Sequence, residues 1–375
     1  CLSRRGDNNR KIGGKIGEKV LMKGNEAVAE AAIRAGCRLY FAYPITPQSE
    51  LIEYMAKMMP KVDGTFVQAE SEVAASNMVY GAAGAGKRVM TSSSSPGISL
   101  KQEGISYIAG ANLPAVIVNV QRGGPGLGDI QPAQGDYFQA TKGGGHGDYK
   151  LIVLGPSTVQ EFADMASLAF DLADKYRNPV MILSDGLLGQ MMEPVEFKPY
   201  KTDEEIEELN KQHYDWCMRP NEDEPNHHHH EVNSLEIDPL VLEQHVLKLA
   251  DKYKKIEENE IIYEDYNIND DNEVLCVAFG TASRIVKSAI DDLKEEGINV
   301  GLIRPISLWP FPTKRISDAL NDKIKKVNVF ELNLGQMVED VKIAVNGRKE
   351  VEFMGKVGGV VFTPEEVKAK IKESL

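Results

Sequence analysis

The sequence predicts an α/β protein in two parts: a doubly wound parallel sheet with helices on both faces, then a second, smaller α/β domain. Three observations carry this. From Lys23 to about residue 184, helical periodicity alternates with short apolar runs, the pattern of parallel strands joined by crossover helices. Residues 196–270 break that rhythm with 21 acidic against 8 basic side chains, which alone accounts for the net charge of −13. The rhythm then resumes from about residue 273 to the end of the 375 residues.

Taken in order, residues 1–19 are Gly- and Arg-rich without periodicity and are expected to be a flexible arm or a misassigned start, with Met22 an alternative beginning. GNEAVAEAAIRAG reads as a helix ending at Gly36, and RLYFAY as the buried strand after it. Further helices are expected over 48–59, 72–85, 98–110 and 157–175, and strands over 66–69, 88–92, 115–121 and 179–184. Residues 122–149, RGGPGLGDIQPAQGDYFQATKGGGHGDY, are expected to form one Gly-rich loop, too long for a simple connector and so a binding loop. The acidic stretch 196–270 reads as a linker carrying one or two surface helices, one around 239–259. Beyond it, strands are expected over 273–280, 298–304 and 327–332, with helices over 281–296 and 336–345. A last helix follows Thr363, where Pro364, Glu365 and Glu366 suit a first turn. The expected domains are therefore 20–195 and 271–375, separated by 196–270.

Composition excludes several classes of function. Clustered Lys and Arg, which nucleic-acid backbones demand, are missing from an acidic chain. No apolar run approaches the ~18 residues of a membrane span, and the first residues lack a signal-peptide core, so a cytoplasmic protein is expected. Cys1, Cys37, Cys217 and Cys276 form no CxxC pair, which argues against a disulfide framework and against an iron–sulfur or zinc site within this chain.

The stretch with most chemical content is FVQAESEVAASNMVYGAAGAGKRVMTSSSSPG, residues 66–97: a strand, a carboxylate at Glu72, a helix of small residues, and a strand ending in serines. Small side chains let another backbone or a flat ligand approach closely. Within it, GAAGAGKR resembles a P-loop at Gly81, Gly86 and Lys87, but Arg88 stands where Ser or Thr is needed and the motif follows a helix, not a strand. YPITPQSE (43–50) closes a strand and opens a helix, with Thr46 placed to cap and Pro47 to occupy the first helical position. SSSSPG (92–97) repeats that arrangement, and Arg122 directly follows another strand. Hydroxyls and one guanidinium at three strand ends on one sheet edge suit a small anionic substrate. The tetrad His227–His230 lies in the acidic linker without flanking ligands and reads as solvated loop; His146, exposed among glycines, stays unassigned.

MKGNEAVAEAAIRAG, YPITPQSE, QAESEVAASNMVYGAAGAG, TSSSSPGISL, QRGGPGLGD, GLIRPISLWPFP and ELNLGQMVEDV occur in that order. Over about 20–375, the chain resembles the alpha-type subunit of the thiamine-diphosphate-dependent 2-oxoacid:ferredoxin oxidoreductases, nearest to the 2-oxoisovalerate (3-methyl-2-oxobutanoate) type. The resemblance implies a pyrimidine-type thiamine-diphosphate-binding domain, doubly wound, plus a transketolase C-terminal-like domain. It implies that Glu72 donates a hydrogen bond to the cofactor's pyrimidine ring nitrogen and so promotes formation of the nucleophile. Glu70 is the competitor for this role, and the spacing of Ser71 and Glu72 before the small residues favours Glu72. A carboxyl packed among Val73, Ala74 and Ala75 is expected to keep its proton more readily through desolvation.

By the same carry-over, Thr46 and Arg122 contact the substrate's oxo-carboxylate end, and Tyr43, Pro44 and Ile45 border the cofactor. No GDG triplet for the diphosphate half is present. The resemblance therefore implies a composite site completed by a beta-type subunit holding diphosphate and Mg2+, with gamma-type and ferredoxin-like subunits carrying [4Fe-4S] clusters, ferredoxin as acceptor and coenzyme A as cosubstrate. The 2-oxoglutarate or pyruvate enzyme is the alternative in the same chemistry, and a non-catalytic scaffold subunit the alternative of another class.

Overall fold

The computed structural model describes residues 18–218 and 230–375. The first part holds β1 (Lys19–Lys23), α1 (Gly24–Arg34), β2 (Leu39–Ala42), α2 (Ser49–Met58), β3 (Thr65–Gln68), α3 (Glu72–Gly84), β4 (Val89–Ser93), α4 (Ser95–Gly110), β5 (Ala115–Gln121), α5 (Tyr137–Thr141), β6 (Ile152–Leu154), α6 (Val159–Tyr176), β7 (Pro179–Asp185), α7 (Gly186–Gln190) and β8 (Met192–Glu196). Then follow α8 (Asp203–Lys211), α9 (Pro239–Asn259), β9 (Tyr263–Tyr266), β10 (Val274–Ala278), α10 (Gly280–Glu295), β11 (Val300–Pro305), β12 (Ser307–Trp309), α11 (Thr313–Ala319), β13 (Lys326–Glu331), α12 (Met337–Val345), β14 (Glu350–Gly355) and α13 (Pro364–Glu373).

The large sheet has the order β12-β6-β7-β5-β4-β2-β3 and is parallel except for β12. Its strands alternate between two covered faces, as a doubly wound sheet must. Tyr40, Met90 and Val116 join the core beneath α1, α2 and α6, while their chain neighbours Phe41, Val89 and Ala115 pack under α3 and α4. The small residues of α3 serve the close approach of α4: a Cβ on Gly104 would lie 2.4 Å from Ser76 Oγ.

The second sheet has the order β14-β13-β10-β11-β9, with β9 antiparallel at its edge. Val274, Cys276 and Ala278 face α10 and α13, whereas Leu275, Val277 and Phe279 merge with the core of the large sheet. β9 lies inside the acidic stretch, so this stretch contributes a strand as well as α8 and α9. β12 leaves the second lobe to pair antiparallel with β6 of the first sheet.

The two lobes are clamped at named points. The Gln134 side chain donates to Phe279 O (2.9 Å) and accepts from Leu332 N (3.0 Å). Arg304 on β11, fully buried, forks onto Glu161 of α6 at 3.0 and 2.6 Å and onto Glu264 of β9 at 2.6 Å. Tyr137 on α5 donates to Asp340 on α12 at 2.6 Å.

Candidate active site

β3, β2, β4 and β5 run in one direction, so their C-terminal ends share one sheet edge. The order reverses there: β2 leads outward to β3, and the chain then returns across β2 to β4. A crevice at such a reversal is where open α/β sheets bind ligands.

Glu72 opens α3 at this edge. Ser71 caps the helix, its Oγ accepting the Ala74 N–H at 3.1 Å, and this turns the next side chain inward. Glu72 is 6% exposed whereas Glu70 faces solvent, which separates the two candidates. Among the described residues no hydrogen bond reaches the Glu72 carboxylate. Opposite it α4 presents bare backbone: a Cβ on Gly97 would lie 2.7 Å from Glu72 Oε1 and 2.1 Å from Ser93 Oγ. The hydroxyls of Ser93 and Ser94 are buried without partners. An unpaired carboxylate and two orphaned hydroxyls beside a backbone without a side chain fit a flat nitrogen heterocycle, which would satisfy groups that are costly to bury alone.

Lys101 lies one turn after Gly97 on the same face of α4 and is completely buried. Its Nζ donates to Thr91 Oγ1 at 3.0 Å, and that hydroxyl donates to Phe41 O at 2.6 Å. Burial pushes the ammonium down to about 7, with the Glu72 charge opposing. Sequence reasoning missed this residue, because a lysine in ISLKQEG reads as solvated; its four-residue spacing from Gly97 is the signal that could have found it.

Arg122 follows β5. Its N–H donates to Ser95 Oγ (3.1 Å), and the Ser95 hydroxyl donates to Asp136 at 2.7 Å. Asn119 adds a bond to the same carboxylate at 2.8 Å. Burial pushes the Asp136 carboxyl up, with the Ser95 and Asn119 bonds partly offsetting it. The Arg122 guanidinium donates to Thr46 O (3.0 Å) and Leu127 O (2.9 Å), and its buried Nε has no partner. The loop can fold back this far because Gly128 takes φ +58°, where a Cβ would lie 1.7 Å from Gly123 O. A cleft of about 660 Å³ opens between the lobes, lined by Ser95, Arg122, Asp136, Leu332, Asn333 and Gln336.

The structure thus brings Thr46 and Arg122 into contact, and sets Glu72 apart from them across the start of α4. Two expectations need correction. Thr46 does not cap α2, and Pro47 is not its first residue. The Gln48 N–H closes a turn on Ile45 O at 3.2 Å, the Pro47 carbonyl is held by Asn25 Nδ2 at 2.7 Å, and the helix begins at Ser49 with Gln48 as its N-cap. Tyr43, Pro44 and Thr46 are exposed along the sheet edge and Ile45 is half-buried. Nor is 122–149 one loop, since α5 occupies Tyr137–Thr141, where Tyr137 finds a buried place against Asp340 and Phe279.

The P-loop-like glycines end α3, and Arg88 is spent on Asp171 and Asp174, both at 2.8 Å. His146 contacts Tyr107 edge-on, with ring centres 5.9 Å apart. Of the histidine tetrad, His227–His229 lie outside the described residues, and His230 Nδ1 is 3.1 Å from Cys217 O. Among the described residues no group of three His, Cys, Asp or Glu is placed to hold a metal ion, and no helix is long and apolar enough to cross a membrane.

Residues 30–260 match the family model described as pyruvate flavodoxin/ferredoxin oxidoreductase, thiamine diphosphate-binding, and residues 272–367 match pyruvate:ferredoxin oxidoreductase core domain II. The chain belongs to the pyruvate flavodoxin/ferredoxin oxidoreductase family. It is 50% identical over 353 residues to the ketoisovalerate oxidoreductase subunit VorB of Methanothermobacter thermautotrophicus, covering 94% of this chain and 97% of that one. It is 37% identical over 365 residues to the 2-oxoglutarate synthase subunit KorA of Methanocaldococcus jannaschii, with 93% and 98% covered. Among solved structures, the 2-oxoglutarate:ferredoxin oxidoreductase from Magnetococcus marinus, with 2-oxoglutarate, coenzyme A and succinyl-CoA bound, superposes with a TM-score of 0.80 at 29% identity; the match spans 95% of this chain and 65% of that one. A split-gene transketolase in an inactive beta4 tetramer, 13% identical with a TM-score of 0.54 and 94% and 98% covered, shares the fold. The expected alpha-type subunit of a 2-oxoacid oxidoreductase, with its thiamine-diphosphate-binding and transketolase-like fold, is borne out.

Proposed function

We propose that this chain is the alpha-type subunit of an enzyme that oxidatively decarboxylates a branched-chain 2-oxoacid, 3-methyl-2-oxobutanoate, to its acyl-CoA and CO2 with electrons passed to ferredoxin. The observation that carries it is Glu72, a residue only 6% exposed, whose carboxylate accepts no hydrogen bond among the described residues and faces the bare backbone of Gly97. Glu72, Ser93, Ser94 and the edge residues Tyr43, Pro44 and Ile45 would hold the pyrimidine half of thiamine diphosphate, which when bound supplies a carbon nucleophile for the substrate's carbonyl. Glu72 holds or releases a proton at the pyrimidine nitrogen. Arg122 presents the exposed terminal nitrogens of its guanidinium to the substrate carboxylate, and Thr46, fixed through its carbonyl, stands beside it at the edge.

The branched-chain assignment rests on the ketoisovalerate relative and on the cleft. Among the described residues lining it Arg122 is the one cation, and Leu332, Leu334 and Val357 are apolar. A dicarboxylate such as 2-oxoglutarate asks for a second cation, which the cleft does not supply. The diphosphate, Mg2+ and [4Fe-4S] clusters fall to beta-type, gamma-type and ferredoxin-like subunits in this reading, because the sequence has no GDG triplet and no group of three metal-ligating side chains is found among the described residues.

The test is Glu72→Gln in the complex purified anaerobically, assayed by viologen reduction with 3-methyl-2-oxobutanoate, 2-oxoglutarate and pyruvate. The catalytic role predicts a loss of roughly 10²-fold or more in kcat with the complex still assembled. Unchanged turnover would leave a scaffold subunit; a wild-type preference for 2-oxoglutarate would overturn the substrate.

A further inference from the structure

A carboxylate on the wall of the cleft is the point where three elements meet beside Arg122. The Arg122 N–H donates to the Ser95 hydroxyl at 3.1 Å, and that hydroxyl gives its one proton to Asp136 Oδ2 at 2.7 Å. Asn119 closes the ring, its Nδ2 donating to the same Oδ2 at 2.8 Å and its Oδ1 accepting the Ser95 N–H at 3.2 Å. Ser95 at the start of α4 and Asn119 on β5 are both buried. Among the described residues the other carboxylate oxygen of Asp136, Oδ1, accepts no hydrogen bond, and Asp136 lines the cleft.

Asp136 is itself held from both lobes. Its N–H donates to Gln121 Oε1 at 3.0 Å, and the Gly123 N–H reaches Gln131 O at 3.0 Å, so the segment before α5 is tied to the end of β5. From the second lobe, Gln336 donates to Gly135 O and accepts the Phe138 N–H, both at 2.7 Å, while Asn333 donates to Gln134 O at 2.8 Å. The carboxylate is a fixed point, and the main chain of Arg122 is joined to it through one hydroxyl.

We propose that Asp136 is a positioning residue for Arg122: acting through the Ser95 hydroxyl, it sets the main chain from which Arg122 reaches the substrate carboxylate. This rests on the reading of Arg122 given above. The role belongs to the oxygen and not to the charge, since both hydrogen bonds fall on Oδ2. An amide whose oxygen takes that place keeps both bonds and turns its nitrogen to the cleft.

The test uses the assembled complex, with kcat and KM for 3-methyl-2-oxobutanoate and a thermal melt for each variant. Asp136→Ala and Ser95→Ala should each raise KM roughly tenfold with kcat little changed, the scale of one lost hydrogen bond to a charged group. Asp136→Asn should stay within about threefold of wild type. Because the two residues act as one unit, the double alanine variant should be about as impaired as either single one. A lowered melting midpoint with unchanged KM, losses that multiply in the double variant, or Asp136→Asn as impaired as Asp136→Ala would each overturn the proposal. Should Asp136→Ala fail to fold, Ser95→Ala decides alone: a raised KM supports the link, and a wild-type KM overturns it. Arg122→Lys is assayed beside them. If it raises KM and the Asp136 and Ser95 variants do not, the positioning role alone fails; if it leaves KM unchanged, the substrate role of Arg122 fails and takes this proposal with it.

Discussion

The Arg122 guanidinium donates to the main-chain oxygen of Thr46 at 3.0 Å, joining two residues 76 positions apart at the ends of different strands. The second terminal nitrogen is held by Leu127 O, which leaves the buried Nε as the donor without a partner. Arginine is thus fastened through both terminal nitrogens, which remain at the surface while Nε is buried. Lysine at this position keeps the charge but loses the fixed fork. Arg122→Lys should raise KM for the 2-oxoacid by roughly 10- to 100-fold, the loss of about 1.5–3 kcal/mol for a hydrogen bond to a charged group, with the unfolding midpoint little changed. Steady-state kinetics beside a thermal melt checks both halves.

Gly97 tests the contact between α4 and Glu72. A methyl there meets Ser93 Oγ at 2.1 Å and Glu72 Oε1 at 2.7 Å, so both must give way. Gly97→Ala should cost about 1–3 kcal/mol of stability, the usual range for overpacking. Titration of the cofactor-free complex with thiamine diphosphate should show affinity reduced by roughly tenfold, since about 1.4 kcal/mol of lost fit corresponds to that factor. Wild-type affinity in this variant would remove Gly97 from the cofactor's wall.

The sequence foretold the parts of this site that rest on local pattern. Helix 72–85 and strand 115–121 are found as α3 and β5 almost to the residue, because small-residue and β-branched runs there agree with their tertiary surroundings. Of the two glutamates that the spacing set side by side, Glu72 is buried and Glu70 is exposed. What stayed hidden depends on partners distant in the chain. β12 is three residues of ISLWPFP that become a strand only because β6 offers an edge. Thr46 was expected to act as a cap, whereas the long-range contacts of Asn25 and Arg122 with carbonyls on either side of Pro47 hold that segment ahead of the helix. Lys101 was invisible because no periodicity distinguishes a buried lysine from a solvated one.

Gln134 is a single side chain that satisfies main-chain groups on two strand ends of the second lobe, Phe279 O and Leu332 N. Gln134→Leu has similar bulk and leaves the Leu332 N–H buried and unpaired, whereas Phe279 O keeps the bond it accepts from the Ser283 N–H at 3.3 Å. At about 1–3 kcal/mol for such an orphaned group, the variant should be destabilised by that amount. Hydrogen exchange resolves the site of damage: the Leu332 amide should exchange faster while amides within β5 stay protected at their wild-type level. Acceleration spread evenly over both sheets would contradict a local clamp.

The bond between Arg304 and Glu161 makes the join between the lobes sensitive to acid. Burial pushes the Glu161 carboxyl up, but the Arg304 charge and hydrogen bonds, helped by Ser157, outweigh it and hold the carboxyl below its ordinary value of 4.5. The folded state therefore binds this proton less readily than the unfolded chain. The resulting stabilisation is complete above about pH 4.5 and fades as pH falls through the folded value. Glu161→Gln removes one of the two carboxylates that compensate a buried guanidinium and should cost about 3 kcal/mol near neutrality, at the low end for breaking a buried pair because Glu264 remains. Melting wild type and variant side by side from pH 7 to pH 3 should show a gap that is constant down to about pH 5 and closes below it. A gap that persists unchanged at pH 3 would mean that the glutamate acts by packing and not by charge.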